Sequence, residues 1–197
     1  MRAGVVGAIS LFALIGCLSD PPAPRRLTVD DITAIPPGTA TGSYFSGNYQ
    51  ITSGQVEACS CRVGNCATVR VQVGTILTVA QTAGVIQIGG TNSTEICSGG
   101  VDADGSFHCN GQVIDAVTNT TEFVVATGQF VFSNGAASSF HQSEEITAIL
   151  PMIDCDIRGN MTAQFVGAAF LGANVSAAPP DHGDTRLPGS FAFGVGP

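Results

Sequence analysis

The chain has 197 residues, of which 44% are hydrophobic and 11% charged, and this length and composition fit one globular domain. Its 15 acidic residues outnumber its 7 basic residues, all of them Arg, and the net charge is −8. Nucleic-acid binding needs clustered cations, so the sequence predicts no nucleic-acid partner.

The amino terminus has the composition of a secretory signal peptide. Arg2 precedes an apolar stretch at residues 3–16 that is short for a membrane-spanning helix. The stretch runs into a four-residue motif that resembles the lipobox of bacterial lipoproteins, Leu14-Ile15-Gly16-Cys17. The resemblance implies that residues 1–16 are removed as a lipoprotein signal peptide and that a lipid, such as palmitate, is attached to Cys17. The alternative is an ordinary signal peptide that contains a cysteine by chance.

The lipobox resemblance also implies a location. Leu18 follows the cysteine at the position where Asp would retain an enterobacterial lipoprotein in the inner membrane. The resemblance therefore implies a protein of the bacterial cell envelope that is attached to the outer membrane. Because so acidic a chain is not attracted to an anionic membrane surface, the lipid on Cys17 must supply the attachment.

Residues 17–40 are rich in proline and show almost no apolar periodicity. Such a composition predicts an extended, semi-stiff tether between the lipid and the folded domain. The alternative is that Leu27, Val29 and Ile32 form a short turn that docks on the domain.

Residues 41–172 are predicted to form an all-β domain, because period-two alternation and short β-branched runs recur along them. The predicted strands lie near 42–52, 55–60, 67–73, 75–81, 84–90, 94–101, 106–109, 111–117, 121–132, 138–149 and 154–167. Three pairs of residues favour tight hairpin turns: Asp104-Gly105, Asn110-Gly111 and Asn134-Gly135.

Successive hairpins predict an antiparallel meander that closes into a small β-barrel stapled by disulfides. The opening strand GSYFSGNYQIT and the meander after it resemble the small lipocalin-like barrels of bacterial lipoproteins. Residues 173–197 are rich in Pro, Gly and Asp, and they are predicted to form a flexible tail.

Apart from Cys17, the chain has an even number of cysteines: Cys59, Cys61, Cys66, Cys97, Cys109 and Cys155. In an exported protein this predicts three disulfide bonds, for which 15 connectivities exist. Cys97 and Cys109 flank a predicted hairpin turn, so we expect them to pair with each other.

The other four cysteines are harder to assign. Cys155 lies in the last strand and must find its partner in the 59–66 cluster, which leaves a local pair, most simply Cys61 with Cys66. The C-x-C-x4-C spacing with His108 also suggests a metal site. Oxidation on export and the absence of the usual paired spacing favour disulfides, so no metal and no cofactor are expected.

The remaining motifs give little support to catalysis. Residues 102–105 (DADG) begin like a calcium loop but lack its later ligands, which favours a surface turn. Glu144 and Glu145 lie near His141, yet consecutive strand residues point to opposite faces and do not form a carboxylate pair. No hydrolase, P-loop or dinucleotide motif is present, and we expect the protein not to be an enzyme.

Two functional classes remain. The first is a non-enzymatic envelope scaffold or interaction module with a possible protein partner, which needs no special residues and predicts an interior filled by Val, Ile and Phe. The second is a lipocalin-type carrier of a small apolar ligand, which requires a cavity. Six bulky rings that can fill a small barrel favour the first class: Phe107, Phe123, Phe130, Phe132, Phe140 and Phe165.

Overall fold

The computed structural model describes residues 22–90, 97–115, 119–168, 185–186 and 193–195. Cys17 and the predicted signal peptide lie outside these residues. Within them the strands are β1 (Gly47–Val63), β2 (Val69–Val71), β3 (Ile76–Thr82), β4 (Val85–Gly90), β5 (Cys97–Val101), β6 (Ser106–Asp115), β7 (Thr120–Ser133), β8 (Ala136–Leu150), β9 (Ile153–Gly167), β10 (Thr185–Arg186) and β11 (Phe193–Val195). Two short 3-10 turns, at Val29–Asp31 and Cys66–Thr68, complete the assigned elements of this part of the chain.

Eight strands form a closed antiparallel barrel in the order β1, β3, β4, β5, β6, β7, β8, β9. From β3 to β9 each strand pairs with its neighbour in the chain, and β9 returns to β1 to close the ring. The prediction of an all-β meander that closes into a barrel is therefore confirmed. Closure leaves every barrel strand with two neighbours, which protects backbone groups that an open sheet edge would expose.

Two of the predicted turns are present. Asn134 and Gly135 have φ values of 52° and 80°, as a two-residue hairpin turn requires. At 102–105 only Gly105 has a positive φ, 87°, and its amide donates to the carbonyl of Asp102. The DADG motif is therefore a hairpin turn between β5 and β6.

The prediction of a turn at Asn110-Gly111 is wrong, because both residues lie inside β6. Asn110 pairs with Ser98 on one side and with Val125 on the other, so the ladder runs through it without a break. Its side-chain amide donates to the carbonyl of Thr33 at 2.8 Å. Asn110 therefore binds the amino-terminal segment through its side chain and does not belong to a turn.

One end of the barrel interior is filled by aromatic rings, and we call it the aromatic end: Phe45, Tyr49, Phe107, Phe130 and Phe140. Phe130 lies at its centre, with its ring centroid 4.6 Å from that of Phe45 and 5.3 Å from that of Phe140. Phe45 precedes β1, and its amide donates to Gln81 Oε1 at 2.9 Å. These contacts hold the Phe45 ring across the end of the barrel.

Three of the six rings predicted to fill the barrel lie outside this buried cluster, although Phe132 contacts Phe45 and Phe165 contacts Tyr49 at its edge. Phe132 and Phe165 are 43% and 42% exposed, because they lie near the ends of β7 and β9. Phe123 is buried but pairs with Thr147 on the outer wall, opposite in direction to the interior residue Val124. Phe123 is buried because another segment covers the outer wall at this point, so a buried ring is not always a ring that faces the interior.

The cover is the amino-terminal segment, residues 22–40, which lies against the outer wall of the barrel. The Arg158 guanidinium donates to the carbonyl of Pro22 at 2.8 Å, and the amide of Leu27 donates to Thr147 Oγ1 at 2.8 Å. Leu27 is 1% exposed. Residues 22–40 therefore do not form the extended tether predicted for residues 17–40, and residues 17–21 lie outside the described residues.

Glycines allow this segment to cross the barrel at very short range. The amide of Gly38 donates to the carbonyl of Gly84 at 2.8 Å. A Cβ atom on Gly84 would lie 2.0 Å from the Gly38 oxygen, and a Cβ on Gly100 would lie 2.6 Å from the carbonyl oxygen of Pro36. Backbone therefore rests on backbone at this crossing, and a side chain at either glycine would separate the two.

The described parts of the carboxyl-terminal segment form a small second sheet with β2. β11 pairs with β2, Phe193 opposite Val71, and β10 pairs with β11. The rest of the predicted tail lies outside the described residues. No helix within the described part of the chain is long and apolar enough to cross a membrane.

Candidate functional site: the barrel interior and the cysteine cluster

Three disulfide bonds join the six cysteines after Cys17. Cys97 is bonded to Cys109, the pairing that the hairpin predicted. These two residues are 1% and 0% exposed and project into the barrel from β5 and β6. Gly99 faces Cys109 in the ladder, and a Cβ on Gly99 would lie 2.8 Å from the Cys109 Cβ. The glycine leaves room for the bond.

The other two disulfides form the cysteine cluster: Cys59, Cys61, Cys66 and Cys155. Cys155 is bonded to Cys61, as the strand order required, but Cys66 is bonded to Cys59 and the prediction of a Cys61–Cys66 bond is wrong. Cys61 lies directly opposite Cys155 in the β1–β9 ladder, with the Cα atoms 4.0 Å apart. The short spacing in the loop had suggested that Cys61 bonds to Cys66. The β1–β9 ladder instead places Cys61 against Cys155, so Cys66 bonds to Cys59.

The sulfurs of the cluster are close even where they are not bonded. Cys61 Sγ lies 3.3 Å from Cys66 Sγ and 3.6 Å from Cys59 Sγ. The Sγ atoms of these three residues all lie within 4.8 Å of one another, a spacing that a metal ion could bridge if they were thiolates. In the structure these sulfurs are in disulfide bonds, Cys59 with Cys66 and Cys61 with Cys155, and are not thiolates. His108, the fourth ligand that the sequence suggested for a metal, is exposed on the outer wall, while the neighbouring Cys109 points inward.

A carboxyl group lies in the barrel interior on β8. Glu144 is 2% exposed, and the side-chain amide of Gln142 donates to Glu144 Oε2 at 2.7 Å. Burial raises the pKa of Glu144 to about 7, and the hydrogen bond from Gln142 opposes part of this rise. Glu144 Oε1 and Gln142 Oε1 are buried without a hydrogen-bond partner. Such groups are costly to bury, so this pair is a candidate binding point for a proton or a hydrogen-bond donor.

Glu122, on β7, is a second buried carboxyl on the same wall. It is 0% exposed and pairs in register with Ala148, whereas Glu144 pairs with Ala126. Four residues along β7 correspond to about 13 Å, so the two carboxyls are separate features. Sequence reasoning favoured an almost entirely apolar interior and missed both. The signal was the period-two register that places Gln142 and Glu144 on the same face as Phe140.

Glu145 points outward, which confirms that Glu144 and Glu145 do not form a pair. Its Oε2 accepts from Arg25 Nε at 3.0 Å, and its Oε1 lies 4.0 Å from Arg158 Nη1. Arg25 belongs to the amino-terminal segment, so this carboxylate helps to attach that segment to the wall. The hydrogen bond from Arg25 also holds the pKa of Asp31 below its usual range.

A second ion-pair group attaches the same segment nearby. Arg26 donates to Asp154 Oδ1 at 2.7 Å and reaches Asp156 Oδ1 at 3.5 Å. Asp156 is only 3% exposed, and it also accepts from Arg62 at 2.9 Å and from Thr147 Oγ1 at 2.8 Å. The buried carboxylate is therefore compensated by two guanidinium groups and a hydroxyl.

A shallow groove of about 450 Å³ lies on the outer wall across β7, β8 and β9. Its outward polar side chains carry no formal charge when His is neutral: Thr127, Gln129, His141, Ser143, Asn160 and Thr162. His141 Nδ1 and Thr162 Oγ1 are hydrogen-bonded at 2.9 Å, so neighbouring strands supply a continuous polar surface. The groove offers both donors and acceptors to a partner.

No protein-family model, curated protein or solved structure matches this chain.

Proposed function

We propose that the protein is a lipid-anchored lipoprotein of the bacterial cell envelope whose barrel is a non-enzymatic interaction module. One observation carries the proposal: the aromatic end of the interior is filled by packed rings, with Phe130 against both Phe45 and Phe140. Filled space holds no ligand, so the accessible chemistry at this end lies on the outer wall and the turns. A protein partner in the envelope fits such a surface.

The outer wall already binds an extended polypeptide, since residues 22–40 of the same chain lie on it. The contacts include backbone pairing at Gly38 and Gly84, charge pairing at Arg26, and the buried side chain of Leu27. Polar groups of the β7–β9 groove provide comparable chemistry on another part of the wall. We expect a partner to bind there through hydrogen bonds, with few contributions from opposite charge.

The proposed anchor on Cys17 precedes the docked segment by only a few residues in the sequence. Five residue steps separate Cys17 from Pro22, and a fully extended chain spans about 3.3–3.6 Å per step, or about 18 Å in all. Pro22 is fixed to Arg158 on β9. A lipid on Cys17 would therefore hold the barrel near the outer membrane surface and not several tens of ångströms above it.

Metabolic labelling tests the anchor. The full-length chain, expressed in a bacterial host with a palmitate analogue, should be labelled, and Cys17→Ala should not. Leu18→Asp is the sorting control: in an enterobacterial host it should keep the label and move the protein to the inner-membrane fraction. Label on Cys17→Ala would contradict the lipoprotein proposal.

The carrier of a small apolar ligand is the alternative, and one observation favours it. The unpartnered oxygens of Gln142 and Glu144 are polar groups aimed into the interior, as a ligand site requires. Apolar fluorescent probes titrated against the folded protein distinguish the two functions. If the probes bind stoichiometrically, fatty acids displace them and Glu144→Gln weakens their binding, the protein is a carrier and the interaction-module proposal is wrong.

A further inference from the structure

The cysteine cluster places two disulfide bonds in direct contact at the end of β1. Cys59 and Cys61 project from the same face of this strand, Cys66 lies in the following 3-10 turn, and Cys155 lies opposite on β9. Cys155 is 1% exposed, whereas the other three are partly exposed. The cluster therefore connects a solvent-accessible loop to the barrel core through sulfur atoms.

We propose that the cluster is a thiol–disulfide exchange site in which Cys61 passes a disulfide bond between Cys155 and the Cys59–Cys66 pair. Its substrate class is a dithiol, either small or part of a protein, in the same compartment. The supporting geometry is the non-bonded approach of Cys61 Sγ to Cys66 Sγ, 3.3 Å, and to Cys59 Sγ, 3.6 Å. Exchange proceeds by attack of a thiolate on a disulfide sulfur, and these sulfurs are already in contact.

The exchange starts at the accessible pair. One thiolate of the dithiol attacks Cys59 Sγ, forms a mixed disulfide and expels the Cys66 thiolate. The Cys66 thiolate then attacks Cys61 Sγ, forms a Cys61–Cys66 bond and expels the Cys155 thiolate. Attack at Cys66 instead would release Cys59, which reaches Cys61 in the same way.

The reaction balances without another reagent. The second thiol of the dithiol attacks the mixed disulfide, leaves as a cyclic disulfide and frees Cys59. The dithiol has then lost two electrons and two protons, and the cysteine cluster has one disulfide, Cys61–Cys66, and two thiols, at Cys59 and Cys155. Reduction reaches the buried Cys155 although the dithiol touches only the loop, and the bond between β1 and β9 opens.

The Cys97–Cys109 disulfide has no such connection. Both cysteines are buried in the interior. Among the residues that the structure describes, the only cluster of three cysteine sulfurs within bridging distance is Cys59, Cys61 and Cys66. Exchange is therefore expected to involve the cluster and to leave the third disulfide unchanged.

Two variants that remove the same disulfide test the proposal. Cys155→Ser leaves a thiol at Cys61, beside Cys66. Cys61→Ser leaves a thiol at Cys155 and removes the sulfur that links Cys155 to Cys59 and Cys66. Alkylation of the native proteins and non-reducing peptide mapping should find the thiol of Cys155→Ser distributed over Cys59, Cys61 and Cys66. In Cys61→Ser the thiol should stay at Cys155.

Since both variants lose the same bond, general unfolding would scramble both. A thiol confined to Cys61 in Cys155→Ser, or equal scrambling in the two variants, would overturn the proposal. The wild-type protein provides an independent measurement: one equivalent of dithiothreitol followed by rapid alkylation should label Cys155 together with Cys59 or Cys66. Labelling only of bonded partners, Cys59 with Cys66 or Cys61 with Cys155, would also overturn it. Neither measurement depends on a lipid at Cys17.

Discussion

The two halves of the barrel interior are built differently. At the aromatic end, large rings contact one another, and Tyr49, Phe130 and Phe140 are 0–2% exposed. In the other half, which we call the polar half, the inward residues include Glu122 and Glu144 beside the small side chains of Ala126 and Ala148. Both halves are buried, but only the first is filled by ring volume.

The difference shows how a small barrel can be stabilised where packing volume is limited. Two disulfides border the polar half: Cys97–Cys109 projects inward from β5 and β6, and Cys61–Cys155 joins β1 to β9. A disulfide stabilises by about 2–4 kcal/mol, largely by restricting the unfolded chain, and it does not require bulky neighbours. The aromatic end is held by packed rings, whereas in the polar half these two covalent links add to the packing of smaller side chains such as Val124, Ile146 and Ile157.

The largest effect is expected at the aromatic end. Phe130→Ala removes a ring that contacts Phe45, Tyr49, Phe107 and Phe140, and a buried Phe→Ala change costs about 3–5 kcal/mol. Urea unfolding should show this loss. Phe132→Ala is the control, because Phe132 is on the same strand but 43% exposed, and its cost should be clearly smaller. Equal losses would mean that the aromatic end is not a packed core.

In the polar half, the corresponding test is pH. Burial raises the pKa of Glu144 from 4.5 to about 7, so the folded state holds the proton more tightly than the unfolded state. The stabilisation is complete below pH 4.5 and is lost as the pH rises through 7. Over this window wild type should lose on the order of 3 kcal/mol relative to Glu144→Gln, which stays neutral.

Glu145→Gln is the matched control for this titration. Glu145 is the next residue, but it lies on the outer wall beside Arg25 and Arg158. Urea unfolding of all three proteins at pH 4.5 and pH 8 should show the growing difference from wild type for Glu144→Gln alone. The same change in Glu145→Gln would place the titrating group outside the barrel.

A smaller effect is expected on the outside of the polar half. Arg26→Ala removes ion pairs to Asp154 and Asp156, but Arg62 still compensates Asp156. We expect a loss of about 1 kcal/mol, because the guanidinium is partly exposed. Hydrogen exchange at the Leu27 amide should accelerate in Arg26→Ala and not in Arg70→Ala, an exposed arginine on β2. Unchanged exchange would show that Arg26 does not hold the segment.

Much of this fold follows from local pattern. Alternation along 121–132 and 138–149 predicted β7 and β8 to within three residues at each end, because strand periodicity acts within a few residues. The Cys97–Cys109 bond was predictable for the same reason, since one hairpin brings both cysteines together. The single strand β1, predicted as two, shows where local turn signals mislead: Ser53 and Gly54 pair with Thr162 and Met161 inside a continuous ladder, just after a register shift between Ile51 and Ser53.

The features that were missed depend on contacts between distant parts of the chain. Cys61 and Cys155 are 94 residues apart in sequence, and only barrel closure makes them neighbours. The period-two register places Glu144 on the face of Phe140, but its burial depends on the closure of the barrel between β1 and β9, which are distant in sequence. The docking of residues 22–40 depends on glycines that lie in other strands, such as Gly100 in β5.

The docked amino-terminal segment also determines how the molecule would respond to a pulling force. A load applied before Pro22 first meets its hydrogen bond with Arg158, then the ion pairs of Arg25 and Arg26, and only later the backbone crossing at Gly38. These attachments are arranged in series and break one at a time. Full release of residues 22–40 would add about 60 Å of extended chain, at about 3.3–3.6 Å per residue. The segment therefore provides extensibility, because its contacts with the barrel are released before the strand ladder of β1 is pulled directly.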